Sequence, residues 1–113
     1  MMVRLASRLL VNALIRKVFA EGGHAAVLAH GDDTSGAILI LAMDRGDDPR
    51  FLERVPGPTG RFELARTGPK DCTGPAEIRD YWAKRCRLDP DLWVLELDIA
   101  QAERFAADVL LFD

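Results

Sequence analysis

The stretch GAILILAM, residues 36–43, decides the fold, because it holds a continuous apolar run between two polar, glycine-containing segments. Residues 38–41 show none of the polar–apolar alternation that a strand with one solvent-facing side displays. A strand of this kind is buried on both faces and lies inside a sheet. The sequence therefore predicts a central strand with cover on each side.

The segments around this strand indicate an α+β protein with the order α-β-β-β-β-α-β. Short apolar segments are separated by turns rich in Gly, Pro and Asp, which is typical of antiparallel neighbours. The predicted helices are 3–20 and 76–87, and the predicted strands are 24–30, 36–43, 50–55, 61–66 and 92–98. We expect a small, mostly antiparallel sheet of about five strands, the first four forming a meander, packed by the N-terminal and second helices.

The loop before the central strand, residues 30–37, contains the residue types of a hydrolase triad in His30, Asp32 and Ser35. Side chains of one short loop point outward in different directions, whereas a triad needs them to converge from a rigid frame. The loop also lacks a nucleophile-elbow motif and the ligand spacing of a calcium loop. Aspartates flanked by glycines are typical of turns, so we interpret the loop as a hairpin connection.

The composition indicates one domain, residues 1–113, whose 99–113 tail could form a short helix with Phe105 and Val109 facing inward. A net charge of −3 argues against a dedicated nucleic-acid binder. Cys72 and Cys86 have no zinc-site spacing, and we predict no metal, no cofactor and no catalytic residue. Two unpaired cysteines and no secretory signal favour a cytoplasmic location.

The N-terminal helix is apolar on more than one side, which indicates cover from more than one direction. Its inward face contains Val3, Leu10, Val11, Leu14 and Val18. A polar stripe runs through Arg4, Arg8, Asn12 and Arg16, with Leu5, Leu9, Ile15 and Phe19 beside it. Its charges and length exclude a membrane-spanning segment. A second copy of the chain could supply the additional cover.

Twelve of the fifteen basic residues are arginine. Arginine suits bidentate pairing with carboxylates and phosphates, although a GC-rich genome produces the same bias. Trp93 could stack on a ligand, but it shares its strand face with Leu95 and Leu97, which favours burial. The candidate interaction or ligand surface consists of Arg4, Arg8, Arg16, Asp32, Arg61, Asp91, Trp93 and Glu96.

Three segments, VRLASRLLVNALIRKV, GGHAAVLAHGDDTSGAILI and RLDPDLWVLELD, resemble a bacterial, mainly alphaproteobacterial, domain-of-unknown-function family, DUF1491. The resemblance covers about Met2 to Asp98, and the tail beyond Asp98 departs from it. It implies a short cytosolic α+β protein and brings no activity, cofactor or catalytic residue.

Two hypotheses follow. The first is a non-enzymatic interaction module that binds itself as a homodimer, or an unidentified protein, with the arginine stripe meeting acids such as Glu96 and Asp98. The second is a phosphate or nucleic-acid ligand site, or an enzyme without a recognisable motif, built on the stripe together with Arg61, Arg85 and Arg87. The first is preferred, and no membrane partner is expected.

Overall fold

The computed structural model describes residues 5–70 and 74–111. Its elements follow the predicted order, and the tail adds a terminal helix. The helices are α1 (Ser7–Ala20), α2 (Pro75–Leu88) and α3 (Ala102–Leu110), and the strands are β1 (His24–Ala29), β2 (Ile38–Asp44), β3 (Asp47–Pro56), β4 (Phe62–Thr67) and β5 (Trp93–Asp98). The α+β class is confirmed.

β3 begins three residues earlier than predicted, because the turn between β2 and β3 is very tight. Arg45 and Gly46 both adopt positive φ angles, of 53° and 78°. The Asp98 carboxylate accepts hydrogen bonds from their backbone N–H groups, at 2.5 Å and 3.1 Å. Asp98 therefore stabilises this turn from the neighbouring end of β5.

The five strands form one sheet in the order β1-β5-β2-β3-β4. Three pairings are antiparallel and the β2–β5 pairing is parallel, so the sheet is mixed but mostly antiparallel, with β2 at its centre as predicted. The predicted hairpin between β1 and β2 is wrong, as is the four-strand meander, because β5 lies between these two strands. β2, β3 and β4 alone form the meander.

The position of β5 follows from its burial. Trp93, Val94 and Leu95 are all buried, although successive side chains point to opposite faces. Such a strand is best placed in the sheet interior, with a neighbour on each edge. Crossing it requires a connection of about 10 Å, since strands lie about 4.8 Å apart, and residues 30–37 are long enough to make it.

One face of the sheet is covered by α1 and α3. The predicted inward residues of α1 that the structure describes are confirmed, since Leu10, Val11, Leu14 and Val18 are buried there, and Val3 lies outside the described residues. In α3 the buried side chains are Ala102, Ala106 and Leu110, spaced four residues apart. Phe105 and Val109, which were predicted to face inward, are partly buried and pack at the margin of the same cluster. The sheet contributes Ala25, Ile38, Ile40, Ala42, Leu52, Trp93, Leu95 and Leu97.

Among the described residues, the opposite face is covered by α2 alone. Its buried cluster consists of Leu39, Leu41, Phe51, Leu92 and Val94. From α2, Ile78, Tyr81, Trp82 and Cys86 pack against this cluster, yet no residue of α2 is fully buried. The two-sided burial predicted for β2 is therefore present within one chain, with thinner cover on this face.

Candidate interaction surface

The loop at 30–37 fastens α1 to the sheet. The Asp32 carboxylate accepts hydrogen bonds from the backbone N–H groups of Thr34 and Ser35, at 3.1 Å and 2.8 Å, and from the Ser35 hydroxyl at 3.2 Å. These bonds hold the pKa of Asp32 below its ordinary value. Asp32 thus closes the predicted turn and acts as a structural acceptor.

Carbonyls of the same loop satisfy the start of α1. The first helical N–H groups, of Ser7 and Arg8, donate to the carbonyls of Thr34 and Asp33, at 3.1 Å and 2.9 Å. The buried Ser7 hydroxyl donates to the Gly36 carbonyl at 2.6 Å. Because Ala6 offers no side-chain cap, the loop supplies the acceptors that a capping residue normally provides. These bonds join residues that are 25 to 29 positions apart, and no local sequence signal indicates them.

Trp93 lies in the core, 2% exposed, and does not belong to an open surface. Its indole N–H donates to the Asp32 carbonyl at 2.8 Å, and the Asp32 N–H donates to the Asp91 carbonyl at 3.0 Å. The His30 ring lies on Trp93 with the ring centroids 4.1 Å apart, and its Nε2 is 3.0 Å from the Asp33 carboxylate. Asp32, Asp91 and Trp93 are thus brought together, as parts of one structural network.

Two arginines form bidentate pairs with glutamates inside the fold. Arg50 of β3, almost buried, bonds through Nε and Nη2 to Glu103 of α3, which raises the pKa of Arg50 and lowers that of Glu103. Arg85 of α2 bonds to Glu53 of β3 at 3.0 Å and 2.9 Å, which raises the pKa of Arg85. Partners that are 53 and 32 residues apart could not be paired from the sequence.

The arginines expected to bind phosphate are dispersed. Arg85 is occupied by Glu53, and Arg61 lies in the turn leading to β4, at one edge of the sheet. Arg8 and Arg16 lie on α1, which packs near the other edge, on β1 and β5. Arg4 lies outside the described residues. The arginines within the described ranges therefore do not form one continuous cationic site.

The face under α2 contains an open cavity of about 400 Å³ beside Met43, Ile78 and Trp82. Arg79 and Glu96 also line it. Glu96 thus lies on the face opposite α1, so it does not reach the arginine stripe of its own chain. Apolar walls with two charged side chains are compatible with a small-molecule site, but the cavity is open to solvent.

The outer face of α1 carries three of the five large apolar side chains that are exposed among the described residues. It consists of Arg8, Leu9, Asn12, Arg16 and Phe19, with Leu5 just before the helix. The three apolar side chains are 51%, 49% and 51% exposed in chain order. Arg8 and Arg16 form no ion pair within the part of the chain that the structure describes.

The β1 edge, His24–Ala29, lies beside this helix and completes the candidate surface. β1 pairs with β5 on one side and, among the described residues, has no strand on the other. Val27 lies opposite Leu95, on the α1 face of the sheet, yet it is 44% exposed. The ring of Phe19 meets His24 edge-on, with the centroids 5.8 Å apart, which places the end of α1 at this edge.

Across residues 5–70 and 74–111, no group of three or more His, Cys, Asp or Glu side chains could hold a metal ion. Burial raises the pKa of the Cys86 thiol, which opposes thiolate formation, and Cys72 lies outside this range. No helix in the same range is long and apolar enough to cross a membrane.

The sequence model of a family described as "Protein of unknown function (DUF1491)" matches residues 5–107. The chain belongs to the DUF1491 family. The match extends past Asp98 into α3, so the departure expected for the whole tail is wrong. The matched residues include most of α3, which packs in the main core.

Solved structures share this DUF1491 fold. The crystal structure of a DUF1491 family protein from Caulobacter crescentus CB15 has 29% identity and a TM-score of 0.78, covering 90% of this chain and 94% of that one. A solution structure of a protein from A. tumefaciens has 32% identity and a TM-score of 0.67, covering 88% and 89%. No curated protein matches the chain. These relatives support the fold and assign no activity.

Proposed function

We propose that this chain is a cytosolic, non-enzymatic interaction module that self-associates through the edge of β1. The observation that carries the proposal is the composition of that edge. β1 reads HAAVLA and contains no Asp, Glu, Lys, Arg or Pro. Exposed edge strands are normally protected from pairing by charges, prolines or strong bulges. An unprotected edge with a half-exposed valine is a template for another strand.

The other edge of the sheet provides the comparison. β4 carries Glu63 and Arg66, and the guanidinium of Arg54 lies 4.3 Å from the centroid of the Phe62 ring at its start. Charged side chains of this kind discourage pairing with a second sheet. The irregularity in β1 falls between Val27 and Ala29, near its end, and leaves the first four residues regular. The asymmetry between the edges favours β1 as the interface.

Pairing of two β1 edges about a twofold axis would give an antiparallel β1–β1 contact and a ten-stranded sheet. Both α1 helices would then lie on the same side of the extended sheet, next to the twofold axis. The two Val27 side chains would lie close together on that side, where each has nearly half of its surface uncovered in the single chain. Self-association would therefore bury apolar area and satisfy the free backbone groups of the edge.

The test compares the molar mass of the wild type and Val27→Lys by light scattering during gel filtration at micromolar concentration. Lysine at this half-exposed position leaves the core intact and places like charges beside the twofold axis. We expect a dimer for the wild type and a monomer for V27K, with unchanged circular dichroism.

Leu88→Lys is the matched control, because it adds the same charge at a side chain that is 75% exposed on α2. It should remain dimeric. A wild-type monomer at micromolar concentration, or a V27K variant that still dimerises, would show that the β1 edge is not an interface.

A further inference from the structure

The outer face of α1 combines apolar and basic side chains without any acid. α1 contains Arg8, Arg16 and Lys17 but no Asp or Glu, although the whole chain has a net charge of −3. Lys17 is engaged by Asp108 of α3 at 3.0 Å, on the other side of the helix. The cations left on the outer face are Arg8 and Arg16, and they stand among three half-exposed apolar side chains.

The arrangement of these side chains discriminates between possible occupants. At 100° per residue, Arg16 projects between Leu9 and Phe19 on the helix surface. A helix that inserts into a lipid surface needs an unbroken apolar face with the cations at its borders. Here the unbroken apolar face of α1 is already buried in the core, and a guanidinium interrupts the outer one. Insertion into a membrane surface is therefore disfavoured.

A second copy of α1 is also a poor occupant of this face. Two outer faces packed together would place arginines against arginines, since α1 carries no acid to alternate with them. Two arginines on an acidic protein likewise make a weak phosphate-tracking surface. A protein helix with acidic side chains beside its apolar seam fits both the exposed apolar side chains and the arginines of this face. The leucines and Phe19 would pack in its grooves, while its carboxylates would reach the arginines.

We propose that the outer face of α1 binds an acidic amphipathic helix of a second protein. The helical part of the face extends from Arg8 to Phe19, about 17 Å along the axis, which accommodates about three turns of a partner helix. This proposal goes beyond self-association and does not depend on it, because the outer face points away from the sheet and the β1 edge lies in its plane.

The probe is a pair of synthetic helices of about 18 residues with one leucine seam, flanked by glutamates in the acidic peptide and by lysines in the basic peptide. Fluorescence anisotropy measures their binding to the full chain at low and high salt. We expect the acidic peptide to bind at least about tenfold more tightly than the basic peptide, with a preference that weakens as salt rises.

The double variant Arg8→Glu/Arg16→Glu should reverse this preference, so that the basic peptide binds more tightly. Leu9→Ser should weaken binding of the acidic peptide, which should still bind more tightly than the basic one. Arg61→Glu/Arg87→Glu is the matched control, since it changes the net charge equally at exposed sites outside α1. It should leave the preference for the acidic peptide unchanged.

Three outcomes would overturn the proposal. The first is no binding of the acidic peptide at about 100 μM, a concentration at which even weak helix docking is detectable. The second is equal binding of both peptides, or binding that the double arginine variant does not alter. The third is cosedimentation with phosphatidylglycerol vesicles in the absence of peptide binding, which would assign the face to an anionic lipid surface. Because β1 dimerisation is measured separately with V27K, neither proposal depends on the other's result.

Discussion

Replacing Gly36 by alanine is expected to destabilise the fold, because the loop at 30–37 has no room for a methyl group at this position. A Cβ atom on Gly36 would lie 2.2 Å from the Asp91 carbonyl oxygen and 2.9 Å from the Asp32 carbonyl oxygen. Both neighbours are backbone atoms, so rotation of a flexible side chain cannot relieve the contact. The loop must move away from β5 instead.

The size of the effect follows from the contacts that this movement disrupts. The Asp32 N–H···Asp91 carbonyl bond and the bond from the Ser7 hydroxyl to the Gly36 carbonyl both depend on the present position of the loop. Each contributes about 1 kcal/mol, and residual crowding adds about 1 kcal/mol. The reduced entropy of the unfolded chain offsets about 0.7 kcal/mol. We expect a net loss of about 2 kcal/mol, or about 8 °C in Tm.

Urea denaturation followed by tryptophan fluorescence measures this loss, since Trp93 is buried beside the loop. Gly74→Ala is the matched control, because its Cβ meets nothing within 4 Å among the described residues and its backbone is extended, with φ of −154°. Gly74 is the N-cap of α2, so this control should itself cost less than about 1 kcal/mol. A Gly36→Ala variant within about 0.5 kcal/mol of Gly74→Ala would refute the reasoning. It would mean that the loop adapts freely and does not fasten α1 to β5.

Two further predictions concern the core and the ion pairs. Leu14→Ala should lower the free energy of unfolding by about 3 kcal/mol in urea denaturation, since Leu14 is fully buried. Leu9→Ala, on the exposed side of the same helix, should lower it by less than about 1 kcal/mol. Equal losses would contradict the assignment of the inner face of α1. Because Arg50 lowers the pKa of Glu103, the stability from this pair is complete above the ordinary glutamate pKa and is lost as the pH falls through the lowered one. Denaturation from pH 7 to pH 3 should therefore show the difference between wild type and Glu103→Gln shrinking on acidification, and a constant difference would contradict the pairing.

The sequence was sufficient for those parts of the fold that depend on local patterns. The apolar run at 38–41 predicted a central strand, and the spacing of Leu10, Leu14 and Val18 predicted the inner face of α1. Both patterns show which side chains leave water, and the burial of apolar surface is the main driving force of folding. Element order followed, because turn residues mark the boundaries between such segments.

The arrangement of the strands was not predictable from the same signals. A short connection between β1 and β2 favours a hairpin locally, whereas the actual pairing depends on β5, which is more than 50 residues later in the chain. The one available clue was that Val94 is apolar on the face opposite Trp93 and Leu95. That clue indicates two-sided burial but does not specify which pair of strands receives β5.

Only part of the candidate surface was predictable, because the sequence does not reveal long-range partners. Arg8 and Arg16 lie on the outside of α1 as the helical period requires, and Asp32 and Trp93 instead belong to the network beneath the loop. Whether a polar residue is exposed depends on its long-range partners. The periodicity of a single segment contains no information about them.

β3 shows why the arginine content by itself did not identify a binding site. Arg50 and Glu53 are three residues apart, so they point to opposite faces of the strand. Arg50 holds α3 on one face through Glu103, and Glu53 holds α2 on the other through Arg85. The planar, bidentate geometry of arginine suits these half-buried contacts better than lysine does. Arginines that anchor helices are not available to a partner. The arginines of α1 anchor nothing among the described residues, so their substitution should change binding without destabilising the fold.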